Sequence, residues 1–303
     1  MAAVGHAVTL RLLPACALAA VALLCAAAQP AVASVSAVDD TQRTVTLPGP
    51  ARRIVSLAPH TTEMLFAAGA GSHVVGVTEY SDYPPEAKRI ASVGSGISLD
   101  LERILQLKPD LIVGWNNGSA AAQLAKLDAL GIPVFRSEPH GFSAIATSLE
   151  RLAHLAGTDA AGHAAAASFR ARLQGLDAAY RQRSRLKVFY QIWRSPLMTL
   201  NDATTPAAVL RLCGAENIFG GLPQLAPTVS IEAVLKADPD VVIASIGEQD
   251  DVFGTWRRFP QLKAVARGNM LLVDGGILNR SGPRILDGAE TLCRQLDAVR
   301  NKR

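Results

Sequence analysis

Residues 99–115 read LDLERILQLKPDLIVGW, and residues 229–245 read VSIEAVLKADPDVVIAS. Offset by 130 positions, the two stretches agree in chemistry along their length: Glu102 meets Glu232, Leu105 meets Leu235, Pro109 meets Pro239 and Asp110 meets Asp240. Each copy opens on a residue suited to capping a helix, Asp100 or Ser230. Leu101, Ile104 and Leu105, like Ile231, Val234 and Leu235, recur at helical spacing. The proline then ends the helix, because the residue before a proline is pushed towards extended geometry. LIVGW and VVIAS follow as β-rich apolar runs, the pattern of parallel strands buried on both faces. The unit is helix, Pro-Asp turn, buried strand, and it occurs twice.

Working outward, MLFAAGA at 64–70 has an echo in VLRLCGA at 209–215, again an apolar helix running into glycine. Two related α/β lobes follow from this duplication. In the first, VTLPGPARRIVSL reads as strand, Pro/Gly turn and strand, with Thr61 or Thr62 expected to cap the helix EMLFAAGA. VVGVT at 74–78 and LGIPVFRSE supply further strands around the turn-rich SDYPPEAK. From about Thr158 to Arg185 the texture changes to alanine, arginine and glutamine with no proline, which favours helix. Some 22 residues of it would reach roughly 33 Å, and KVFYQIW then opens a second strand set. The expected division is an export signal over 1–33, an N-terminal extension with a short strand over 34–51, and a first lobe over 52–157. A linking helix over 158–185 and a second lobe over 186–303 complete it. The fold class expected is α/β: two Rossmann-like lobes with parallel sheets, joined by a single long backbone helix.

The chain of 303 residues is 49% hydrophobic and 18% charged, a globular composition with enough apolar material for two cores. Part of that material is the run LLPACALAAVALLCAAA at 12–28, preceded by Arg11 and followed by Ala-Val-Ala at 31–33. This is the layout of a secretory signal cleaved after Ala33, against the competing reading of a retained membrane anchor. Lipid anchoring is disfavoured because Cys25 follows the bulky Leu24 and Cys16 comes early in the apolar run. Removing residues 1–33, which hold one arginine and no acid, leaves 29 basic and 26 acidic residues with no clustered basic stripe of a nucleic-acid binder. It also leaves two cysteines, Cys213 and Cys293. In an oxidising compartment these most simply form one disulfide, the alternative being two separately buried thiols.

RIVSLAPHTTEMLFAAGA, VVGVTEYSDYPPEAK, LDLERILQLKPDLIVGW, LRLCGAENIFGG, VSIEAVLKADPDVVIAS and SGPRIL, in this order, resemble the vitamin B12-binding family of periplasmic receptors that serve bacterial ABC importers. That family lies within the wider helical-backbone group (class III), which also serves haem, iron-siderophores and metals. The resemblance runs from about Arg52 to the C-terminus. It implies a monomeric receptor without catalysis or cofactor, holding a corrinoid such as cobalamin as transported ligand between its lobes. The receptor would then present that ligand to a permease dimer driven by an ATPase. It further implies that Glu102 and Glu232, one per lobe, dock onto permease arginines. On an ideal helix Glu102 lies about 100° from Leu101, off the apolar stripe, and the bland alternative is that both glutamates complement helix dipoles.

Ligand residues in such lobes come from the carboxyl ends of parallel strands. By that rule the candidates are Pro59 and His60 after IVSL, Tyr80 after VVGVT, Trp115 to Gly118 after LIVG, Trp193 and Arg194 after FYQI, and Gly276 to Arg280 after LLVD. The resemblance places a ligand-contacting tyrosine at Tyr80 and a contacting stretch at Gly276, Ile277, Leu278, Asn279 and Arg280. A corrin is a broad, mostly apolar plate fringed with amides, suited by aromatic and aliphatic faces with a few polar groups. The chain departs from the family pattern where Gly-Ile-Leu replaces an acidic residue and aromatics, and where LAPT and VGSGIS carry no aromatic. Trp193 would compensate from another strand. The rival reading is haem, siderophore or metal binding, with His60, His140 and Tyr80 as iron or metal ligands. No HxxxH pair or carboxylate cluster supports a tight metal cage. An exported enzyme is the third reading; the chain has no GxSxG, Walker A, GxGxxG or HExxH motif, and SGPR and GGIL read as ordinary loops.

Overall fold

The computed structural model describes residues 1–6, 33–119, 121–245 and 251–302. The chain divides into a leading unit, Met1–Ala33, and a compact unit, Ser34–Arg303. Of the export signal expected over 1–33, residues 7–32, with the apolar run at 12–28, lie outside the described residues.

The compact unit begins with an antiparallel hairpin of β1 (Val35–Val38) and β2 (Thr44–Leu47). Its turn is built on the Asp39 carboxylate, which accepts N–H bonds from Thr41 and Arg43 at 2.8 and 3.0 Å. Next come β3 (Ile54–Ser56), α1 (Pro59–Ala67), β4 (Val74–Val77), β5 (Ala91–Ser92), and a small hairpin of β6 (Gly94–Ser95) with β7 (Ser98–Leu99). After these follow α2 (Leu101–Gln106), β8 (Leu111–Trp115), α3 (Ala121–Ala129), β9 (Val134–Ser137) and α4 (Gly141–Ala156). The five strands β5-β4-β3-β8-β9 form a parallel sheet in that order.

Alternate residues of the central strands feed different cores, as a twofold side-chain period requires. Ile54, Leu111 and Val113 join the core beneath α1 and α4, whereas Val55 and Ile112 join Ile104, Leu124 and Leu127 of α2 and α3.

The linking helix is α5, Asp159–Tyr180, the 22-residue segment whose composition favours helix. It buries only Gly162, Ala166 and Phe169, so most of its length faces solvent. A Cβ on Gly162 would lie 2.2 Å from that of Ala153, so only glycine lets α5 approach α4 this closely.

The second lobe then runs β10 (Leu186–Gln191), α6 (Thr205–Leu212), β11 (Ala215–Asn217), α7 (Ile231–Ala237), β12 (Val241–Ser245), α8 (Gly254–Arg257), α9 (Lys263–Ala266), β13 (Met270–Val273), α10 (Gly275–Leu278) and α11 (Ile285–Arg300). Its parallel sheet is ordered β11-β10-β12-β13. α5 touches α1 and α4 of the first lobe and α6 and α11 of the second, so one apolar core is continuous across both.

The repeat appears twice as a structural device. Asp100 accepts from the Arg103 amide at 2.9 Å, and Ser230 from the Ala233 amide at 3.2 Å, each capping its helix. Lys108 and Asp238, again 130 apart, both adopt positive φ, at 46° and 45°. The chain therefore leaves each helix through a left-handed residue as well as through the proline. The aspartates have a further task. Asp110 accepts the amides of Arg52 and Arg53 at 2.8 and 3.0 Å, and Asp240 accepts that of Lys187 at 2.9 Å. Each carboxylate thus anchors the start of its lobe's central strand.

Three expectations need correction. α1 starts at Pro59, not after Thr61 or Thr62, because a proline's fixed φ suits the first helical position; both threonine hydroxyls instead donate back to the Ala58 carbonyl. Leu105 is 42% exposed, so Ile104 is the buried residue of α2. GGIL is a helical turn rather than a plain loop, capped by Asp274 through the Gly276 amide at 2.8 Å.

Candidate functional site

The carboxyl ends of the two sheets face a cleft between the lobes. A pocket of about 300 Å3 lies in it, walled by Trp115, Pro139 and His140 from the first lobe and by Ile192, Leu225 and Asn279 from the second. Its lining is predominantly apolar with a few polar groups, the composition of a small-molecule site.

Trp115 is the last residue of β8 and is 40% exposed. A Cβ on Gly118 would fall 1.8 Å from its indole, so the turn after the strand must carry glycine for the ring to lie over it. The Asn117 amide donates to Glu138 at 3.0 Å and fixes that turn to the end of β9. Against Trp115, edge-on with centroids 5.5 Å apart, stands His60 in the first turn of α1. His60 is 5% exposed, and its Nε2 is buried with no hydrogen-bond partner. Burial, and then the nearby Arg280 charge, lower its pKa to about 4, so the imidazole is neutral at pH 7.

Pro59 opens α1 as its first residue. Tyr80 has a positive φ of 63° and a ring that is 77% exposed, and Trp193, from the second lobe, is 62% exposed with its indole N–H on the Ser195 carbonyl at 2.9 Å. Gly276 and Ile277 are partly exposed within α10, whereas Leu278 turns into the core and offers the cleft no side-chain surface. Asn279 accepts from the Tyr190 hydroxyl at 3.0 Å, and burial raises that phenol's pKa.

Arg280 is held by three acceptors of the first lobe and stays 20% exposed. Its Nη1 donates to Glu63 at 3.2 Å and to Asp82 at 2.9 Å, and its Nη2 donates to the Tyr80 carbonyl at 3.2 Å. Arg284 donates to both Glu63 oxygens, at 2.9 and 2.6 Å, and lies 3.9 Å over the Tyr83 ring. Burial works against the Asp82 charge, but the Arg280 hydrogen bond and charge outweigh it and hold the carboxyl below its usual range. Among the described residues, no three His, Cys, Asp or Glu side chains converge to hold a metal.

Of the residues named by the strand-end rule, Trp115 and Asn279 line the pocket with His140, His60 packs on Trp115, and Arg280 binds Glu63, Asp82 and the Tyr80 carbonyl beside it. The rule does not name Glu63, Asp82 or Arg284. Glu63 sits in the first turn of an apolar helix, where a carboxylate reads as a dipole complement, and Arg284 belongs to SGPR, read as an ordinary loop. The signal available was a charged residue inside an otherwise apolar run. Glu102 and Glu232 stand exposed in the first turns of α2 and α7, away from the pocket lining. The Glu232 carboxyl is lowered below its usual range by its own backbone amide and the Ser230 hydroxyl. Cys213, ending α6, is bonded to Cys293 in α11.

Two parallel-sheet lobes on one helical backbone, with an aromatic-walled cleft at their strand ends, define a two-lobed ligand receptor. Residues 54–275 match the periplasmic binding protein family, and the chain belongs to it. A vitamin B12-binding protein of Vibrio cholerae is 40% identical over 251 residues, covering 82% of this chain and 90% of that relative. The crystal structure of a periplasmic vitamin B12-binding protein from Vibrio cholerae superposes with a TM-score of 0.76 at 38% identity, covering 83% of this chain and 98% of that one. A periplasmic haem-binding protein of Pseudomonas aeruginosa superposes at 0.70 with 26% identity, covering 80% and 91%.

Proposed function

We propose that the protein is the periplasmic receptor of an ABC importer and binds cobalamin, or a related corrinoid, in the inter-lobe cleft. The observation that carries this reading is the 40% identity to a vitamin B12-binding protein across the two-lobed body. The chemistry of the cleft supports it. Trp115 and Tyr80 from one lobe and Trp193 from the other expose aromatic surface suited to the faces of an apolar plate. Asn279 and His140 line the same pocket and suit the amide fringe. A pocket of about 300 Å3 stands at the low end for small-molecule sites; a corrinoid would fill it and extend into the open cleft. The expected ligand residues are Pro59, His60, Tyr80, Trp115, Trp193, Gly276, Ile277, Asn279 and Arg280, with Leu278 supporting them from the core. The receptor works without a cofactor, and cobalamin is its cargo. Glu102 and Glu232 are its docking points for the permease.

Haem is the second reading. It is favoured by the unpartnered Nε2 of His60 and by the likeness to a haem-binding structure. Incubating the purified protein with cyanocobalamin or with haem, followed by gel filtration with absorbance detection, separates the two. Corrinoid absorbance co-eluting at one ligand per chain is expected. Haem co-elution with none for cyanocobalamin would replace the first reading by the second.

A further inference from the structure

Glu63 lies on α1 of the first lobe, yet its side chain is only 2% exposed and both arginines it binds belong to the second lobe. Arg284 grips it with two hydrogen bonds and Arg280 adds a third. Arg280 also reaches Asp82 and the Tyr80 carbonyl, so the cluster runs from the buried seam between the lobes to the exposed edge of the cleft. Its two carboxylates and two guanidinium groups balance in charge. Gly282, between the arginines, faces the first lobe at this point: a Cβ on it would be in ordinary van der Waals contact, 3.4 Å from the Glu63 carboxylate and 3.8 Å from the His60 Cβ. Tyr80, held by its carbonyl, adopts the left-handed backbone region that non-glycine residues rarely occupy.

We propose that Glu63 is a positioning residue: with Arg280 and Arg284 it forms a latch that fixes the lobe separation and holds Tyr80 at the mouth of the cleft. Buried carboxylates bound by bidentate guanidinium groups are strong only while both partners stay in place. Parting the lobes would break the hydrogen bonds that cross the seam at once. The latch therefore favours one lobe separation in the ligand-free protein and slows both entry and escape of ligand. The kinetic half of this inference rests on the corrinoid reading; the geometric half does not.

The test, on protein freed of residues 1–33 with their Cys16 and Cys25, places spin labels on cysteines introduced at Lys126 in α3 and Lys236 in α7, both exposed and on opposite lobes, leaving the buried Cys213–Cys293 bond intact. Pulsed electron resonance then reads the inter-lobe distance without ligand. One narrow distance is expected with Glu63 present and a broad distribution in Glu63→Gln. Stopped-flow with cyanocobalamin is expected to show dissociation about tenfold faster in the variant, with faster association too. Superimposable distance distributions would overturn the latch, even if Glu63→Gln melts earlier. Should Glu63→Gln not fold, Arg280→Gln, at a position 20% exposed, carries the same distance measurement and the same two outcomes. Because the distance is read without ligand, failure of the corrinoid reading would leave this result standing.

Discussion

His60 is a histidine that folding keeps neutral. Its pKa falls to about 4 through burial and the Arg280 charge, against 6.5 in an unfolded chain. Below pH 6.5 the unfolded state takes up a proton that the folded state refuses, so stability is full above 6.5 and is lost as pH falls towards 4. The loss is on the order of 3 kcal/mol at pH 4. Urea unfolding at pH 7.5, 5.5 and 4.5 should show a steeper decline for the wild type than for His60→Gln, and parallel declines would contradict the assignment. At this scale the sequence was partly legible. Trp115 ends a buried strand and so emerges at its carboxyl end, but the pairing of Glu63 with Arg280 and Arg284 joins residues more than 200 positions apart. No local pattern encodes such a contact.

The duplicated helix and strand, and the long linking helix, were readable because periodicity, caps and the Pro-Asp turn are local features. β1 was not, since Val35–Val38 is only four residues long and is a strand through its pairing with β2. The role of Asp110 and Asp240 was also hidden: each binds amides at the start of a strand more than 50 residues earlier. The disulfide was anticipated from cysteine arithmetic, and it joins α6 to α11 across 80 residues. Closing a loop of that length contributes roughly 4 kcal/mol on the chain-entropy model. Reducing it should lower the urea midpoint, while Cys213→Ala/Cys293→Ala should sit at the reduced value with or without reductant. Two free thiols in the unfolded, unreduced protein freed of residues 1–33, which hold the other two cysteines, would contradict the bond.

For the whole molecule, the two exposed glutamates and the cleft make separate demands. Glu102→Ala/Glu232→Ala should leave ligand affinity unchanged and weaken association with the reconstituted permease. The penalty is about 2–5 kcal/mol where the contacts are desolvated and less at a wet rim, with added salt reproducing part of the loss. Normal association by the double variant would reduce both residues to helix-start charges. The cleft is tested most directly by titration calorimetry of the purified protein with cyanocobalamin, beside Tyr80→Ala and Trp115→Ala. Saturable one-to-one binding is expected for the wild type, weakened by about 1–3 kcal/mol in each variant. No binding by the wild type, or affinity untouched in both variants, would contradict corrinoid binding between the lobes.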